Sequence, residues 1–157
     1  MSVSRWRATD PGWIAAFRIT GEYRPVPRYE PISSDMPLKA SASDLIAFHW
    51  EVNGITADFI LPDDERHALR VSFDLPCIVR LVDEMPLSTE QEDTPSEGRV
   101  AEHFAYRVEG ARFQRLQSET WKEVSAPVSH YQFVTGWGCM DVLSGASPSF
   151  SVVPRSD

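Results

Sequence analysis

His49, Glu51 and Asp58 are the residues best suited by type and spacing to do chemistry. An imidazole flanked by two carboxylates can act as a general base or contribute to a metal site. All three fall on the polar phase of Leu45–Leu61, where two runs of alternating apolar residues surround Asn53-Gly54. Asn-Gly supplies the two positive-φ positions of a type I′ turn, and this predicts a hairpin with a defined register. Val52 then faces Ile55, Trp50 faces Ala57, Phe48 faces Phe59 and Ile46 faces Leu61, all on one buried side. On the other side Glu51 faces Thr56, and His49 faces Asp58 with roughly 5 Å between their Cβ atoms. Catalysis or metal binding would need further ligands and a supporting shell, and neither is legible around these residues. A solvated cross-strand pair accounts for the same pattern. The expectation is therefore no catalytic assignment, no metal and no cofactor. A small enzyme or small-ligand-binding domain with a pocket near His49, Glu51 and Asp58 is the alternative.

Cys139 and His130 invite a second reading, because a thiol activated by imidazole is a common nucleophile. Gly136-Trp137-Gly138 reads as a loop in which both glycines can take left-handed geometry. Cys139 then opposes Thr135 and His130 opposes Ser144, about 17 Å apart along the ladder, which argues against a dyad. Cys77 and Cys139 both lie in strand-like patterns, where a thiol behaves as a small buried hydrophobe. Two cysteines without spaced partners make no zinc signature. There is no G-x-G-x-x-G, Walker, G-x-S-x-G, H-E-x-x-H or EF-hand motif, so the nucleotide, α/β-hydrolase, zincin and calcium-sensor classes lose their usual support.

The third group is acidic. Asp83, Glu84, Glu90, Glu92, Asp93 and Glu97 follow one another with no Lys or Arg between them. The chain carries a formal charge of −8, with five arginines against three acids in residues 1–30 (net +2) and hence −10 over the rest. Such a body repels nucleic acid and attracts basic partners. Arg5-Trp6-Arg7, Arg18, Tyr23-Arg24 and Arg28-Tyr29 have the composition of a single-strand binding surface. The same side chains can instead pair with the acidic body and seal against it, so nucleic acid is disfavoured. The expected function is a non-catalytic protein-interaction protein of the bacterial immunity or adaptor type. It would bind a basic protein partner through the six acids, with a homodimer left open.

These groups need elements to hold them. At 157 residues, 42% hydrophobic and 11% aromatic, the chain reads as a single globular domain able to bury a core. Its first residues, MSVSRWRATD, lack the apolar run of a signal peptide and no stretch approaches the ~20 residues that span a bilayer, so the expected location is cytoplasmic, with no membrane partner. Residues 1–43 read as a short helix, from Thr9 or Asp10 through Pro11 to Gly21, followed by a proline-rich extended arm. After the hairpin, Pro62-Asp63-Asp64-Glu65 reads as a turn. Alternation then runs from Leu69 to Leu81 and is interrupted by Pro76, which demands an edge, a bulge or a break into two strands. Pro86–Arg99 reads as a loop, Phe104–Gly110 as a strand and Ala111–Trp121 as a short helix. Ser129–Thr135, Cys139–Ser144 and Phe150–Val153 read as strands. The predicted class is α+β: a mainly antiparallel sheet, curved or partly closed, with one or two short helices on one face. The expected core joins the hairpin's apolar side to Phe73, Val79, Leu81, Phe104, Tyr106 and Phe133.

Overall fold

The computed structural model describes residues 25–155 apart from 75, 76 and 126. The helix expected before Gly21, and Trp6, Trp13 and Tyr23, lie outside the described residues. The remainder is mainly antiparallel sheet, as predicted. Its strands are β1 (Arg28–Pro31), β2 (Leu45–Glu51), β3 (Gly54–Leu61), β4 (Asp64–Asp74), β5 (Cys77–Asp83), β6 (Ala105–Glu109), β7 (Ser129–Phe133), β8 (Gly138–Ser144) and β9 (Ser149–Pro154). Three short helices accompany them: α1 (Glu84–Gln91), α2 (Arg112–Arg115) and α3 (Glu119–Ser125).

Two open sheets form, with strand orders β1-β6-β7-β8-β5 and β2-β3-β4-β9. One apolar cluster joins their facing sides. It takes Ile55, Ala57, Phe59 and Leu61 from β3, Leu69, Val71 and Phe73 from β4, and Tyr131, Phe133, Met140 and Val142 from β7 and β8. Period-two alternation places these residues inward. Phe59 stacks edge-on against Phe104 at 4.8 Å between centroids, and Phe73 lies 5.3 Å from Tyr131. The alternation interrupted at Pro76 is two strands, one in each sheet. β1 lies on a sheet edge inside the proline-rich arm, the position where a strand tolerates proline.

Several expectations are corrected. The hairpin loop is Val52-Asn53, not Asn53-Gly54: Glu51 pairs Gly54, Trp50 pairs Ile55 and Phe48 pairs Ala57. Neither Asn53 nor Gly54 has positive φ. Gly54 is demanded by its other neighbour, since a Cβ there would collide with the carbonyl oxygen of Phe73 on β4. β3 keeps its predicted buried side, but β2 is an edge strand that overhangs the core, leaving Trp50 56% exposed and Val52 89% exposed. Leu81, on the edge strand β5, is likewise 47% exposed. Tyr106 is buried in a second cluster with Tyr29, Val108 and Ala111, not in the main core. The β7–β8 register is shifted by one, pairing Ser129 with Ser144 and His130 with Leu143, and the glycines at 136 and 138 are not left-handed. The single helix expected over Ala111–Trp121 is two, α2 and α3. Pro86–Arg99 is only partly loop, because α1 occupies its first half.

Candidate functional site

The acidic segment begins with a helix whose start is chemically specified. The Asp83 carboxylate accepts a hydrogen bond from the Met85 N–H at 3.0 Å, satisfying one donor that the first turn leaves unpaired. Pro86 sits in that first turn, where the missing N–H costs nothing. Glu84, Leu87, Ser88 and Gln91 follow at helical spacing and share one face of α1. With Glu92, Arg99 and Val134 they line an open depression of about 480 Å³. Leu87, 4% exposed, anchors the helix.

A buried charged network holds α1 from below. Tyr106, Gln132, Asp141 and Arg80 stand in one register line across β6, β7, β8 and β5, on the sheet face that looks away from the main core. Asp141 is fully buried. One carboxylate oxygen, Oδ2, accepts from Arg80 Nε at 2.9 Å and Nη2 at 2.6 Å. The other accepts from His130 Nε2 and Gln132 Nε2, both at 2.8 Å. Arg80 reaches on through Nη1 to Glu90 of α1 at 2.6 Å, and Phe113 of α2 covers the group, its ring 4.6 Å from the guanidinium carbon and 5.5 Å from the His130 ring. Burial pushes the Asp141 carboxyl up, but the hydrogen bond from His130 and the Arg80 guanidinium outweigh it and hold the group below the usual carboxylate range. His130 and Asp141 have the types of an acid–base pair. Both side chains are 0% exposed, and neither the α1 depression nor a second one of about 440 Å³ beside β1 is lined by them. The network's evident work is to lock two helices to the sheet.

The six acids divide. Asp83 caps the helix and Glu90 is paired inward. Glu84, Glu92, Asp93 and Glu97 are exposed, and among the described residues none of these four joins an ion pair. Arg99 closes the far end of the depression, its guanidinium 4.2 Å above the Tyr29 ring, bonded to Tyr29 Oη at 2.8 Å and to Gln91. The guanidinium is exposed and lines the depression together with the carboxylates of Glu84 and Glu92, so the depression carries one positive charge, at its far end, beside the two negative ones.

His49, Glu51 and Asp58 are not brought together as expected. The register shift places Thr56 opposite His49 and Ala47 opposite Asp58. Asp58 is held by Arg70 in a two-pronged pair, both contacts at 2.7 Å. His49 and Glu51 are exposed, and neither depression is lined by any of the three. Among the described residues no group of three or more His, Cys, Asp or Glu side chains could hold a metal ion. His130 bonds Asp141, while the buried Cys139 thiol contacts the backbone of Thr135, so no thiol–imidazole pair forms between them. No described helix is long and apolar enough to cross a membrane.

Sequence reasoning missed the network. Its members lie in three strands and α1, with Arg80 and Asp141 61 positions apart. The signal was the polar phase of those strands, which without knowledge of α1 and α2 reads as a solvated face. Comparison of the chain with protein-family models, with curated proteins and with solved structures finds no match.

Proposed function

We propose that this protein is a non-catalytic interaction module, of adaptor or immunity type, whose acidic α1 face receives a lysine- or arginine-bearing segment of another protein. The observation that carries the reading is the division of labour around α1. Asp83 and Glu90 fasten the helix, while Glu84 and Glu92 rim an open depression with no ion-pair partner among the described residues. Small ligands favour enclosed, mostly apolar pockets. A shallow depression edged by carboxylates suits a peptide segment better, and a helix already fixed in place spares the partner the entropy of ordering it. The overall charge of −8 would speed encounter with a cationic partner.

Amide chemical-shift mapping with an oligolysine peptide at low ionic strength tests this. Shifts concentrated on residues 84–99, fading as salt approaches physiological strength where screening acts over ~8 Å, are the expected result. The combined variant E84Q/E92Q should lose them. No shifts, or shifts scattered over the whole acidic surface and unchanged in the variant, would overturn the reading.

A further inference from the structure

Beside the Glu84 end of the α1 depression stands an apolar feature that electrostatics alone leaves unused. Trp137, at the β7–β8 turn, is 72% exposed, and Met85, in the first turn of α1, is 70% exposed. The turn carrying Trp137 is held firmly. Its N–H donates to Thr135 Oγ1 at 3.1 Å, and its carbonyl accepts from the Glu84 N–H at 2.7 Å. Thr135, 2% exposed, donates in turn to the Gly138 carbonyl at 2.9 Å. The backbone of Trp137 is thus engaged on both sides while its ring faces water. A large ring presented on an ordered backbone is the usual form of an interface anchor, because it buries much apolar area with little rotamer entropy left to lose.

Resting on the acidic reading of α1, we infer that Trp137 and Met85 form an apolar anchor beside that docking surface, and that its occupant is an extended segment carrying an apolar residue close in sequence to a basic one. The Glu84 N–H bond to the Trp137 carbonyl brings the two backbones together, so an apolar side chain seated on Trp137 and Met85 places the neighbouring stretch of its chain beside the Glu84 carboxylate. Charge complementarity selects this occupant over an anionic membrane surface, which the Asp83 and Glu84 carboxylates beside Trp137 would repel.

Fluorescence anisotropy with labelled synthetic peptides tests the inference at low salt. One peptide carries Leu-Ser-Lys-Ser-Ser-Ser-Lys and its control replaces Leu by Ser; both are titrated into wild type, Trp137→Ser, Trp50→Ser and E84Q/E92Q. The leucine peptide should bind about tenfold tighter than its control. Trp137→Ser should erase that advantage while preserving lysine-dependent binding, and Trp50→Ser, which alters an exposed Trp on the other sheet, should leave it intact. An unchanged melting curve checks that Trp137→Ser is folded. Equal binding of the two peptides, or an advantage that survives Trp137→Ser, overturns the anchor and leaves the acidic reading standing. Absence of binding by either peptide overturns both. A wild type that sediments as a dimer and a Trp137→Ser variant that sediments as a monomer would assign the anchor to a second copy of this chain instead.

Discussion

Asp141→Asn is the most informative single change, because it keeps the side chain's shape and alters only charge and hydrogen-bonding sense. In the native protein four donors converge on the carboxylate: two from Arg80 and one each from His130 and Gln132. An amide offers one acceptor oxygen and one NH2. With its NH2 toward Arg80 the amide meets donor against donor. With its NH2 toward His130 and Gln132 it does so too, unless the imidazole changes tautomer and Gln132 flips, which shifts the orphaned donors to His130 Nδ1 and the Gln132 NH2, sites with no partner among the described residues. With the oxygen toward Arg80, two buried donors are orphaned at about 1–3 kcal/mol each. With the oxygen toward His130 and Gln132, Arg80 loses its carboxylate and keeps Glu90 alone. Breaking a buried pair from one side costs about 3–5 kcal/mol, and both orientations fall in or near that range. Urea denaturation should show a lowered midpoint with an unchanged m-value. The residual native state should exchange amide protons of α1 faster, since Arg80 no longer braces Glu90. A loss below about 1 kcal/mol would mean that water reaches the carboxylate, and would refute a sealed network.

Acid stability should follow the same group. Its carboxyl lies below the ordinary range when folded, so its contribution is present above the unfolded value of about 3.9 and is lost as pH falls through the folded value. Stability measured from pH 6 down to pH 2 should drop for wild type below about pH 4, and less steeply for Asp141→Asn. Gly54→Ala should cost about 1–3 kcal/mol in thermal melts, because its Cβ has nowhere to go beside Phe73. Asn53→Ala should change little; the reverse ranking would restore the Asn-Gly turn. Trp50→Ala, at an overhanging edge, should cost about 1 kcal/mol or less, whereas Phe59→Ala should cost about 3–5 kcal/mol. Burial pushes the Cys139 thiol up, so peptide-level mass spectrometry should find it unmodified after brief iodoacetamide treatment of the native protein at pH 8.

Local patterning carried the strands and little of the site. The β3 face, the division at Pro76, β6 ending at Gly110 and the last strand all follow from alternation and punctuation. Those signals are short-range, so distance along the chain does not degrade them. Gly54 shows where they mislead. It reads as a turn residue because its partner in sequence is Asn53, while the physical demand comes from Phe73, nineteen positions on. α1 was hidden for a different reason. Only Leu87 of its residues is buried, so it shows no apolar stripe, and the cap at Asp83 with Pro86 in the first turn was the one available cue. Arg80, His130, Gln132 and Asp141 look like the wet side of three strands until two helices are laid over them. Phase alone places Trp50 inward, and phase does not say whether a strand lies at the centre or the border of a sheet.

Strand order has a consequence for how this chain is made. β5 hydrogen-bonds to β8, and β4 to β9, so neither sheet can be finished before residues 138–154 have left the ribosome. Non-local pairings of this kind slow folding. During that interval β3 and β4 expose the row of rings and branched side chains that later fills the interior. A nascent chain in this state is a natural client for a holding chaperone, and arresting synthesis just short of β8 should trap it there.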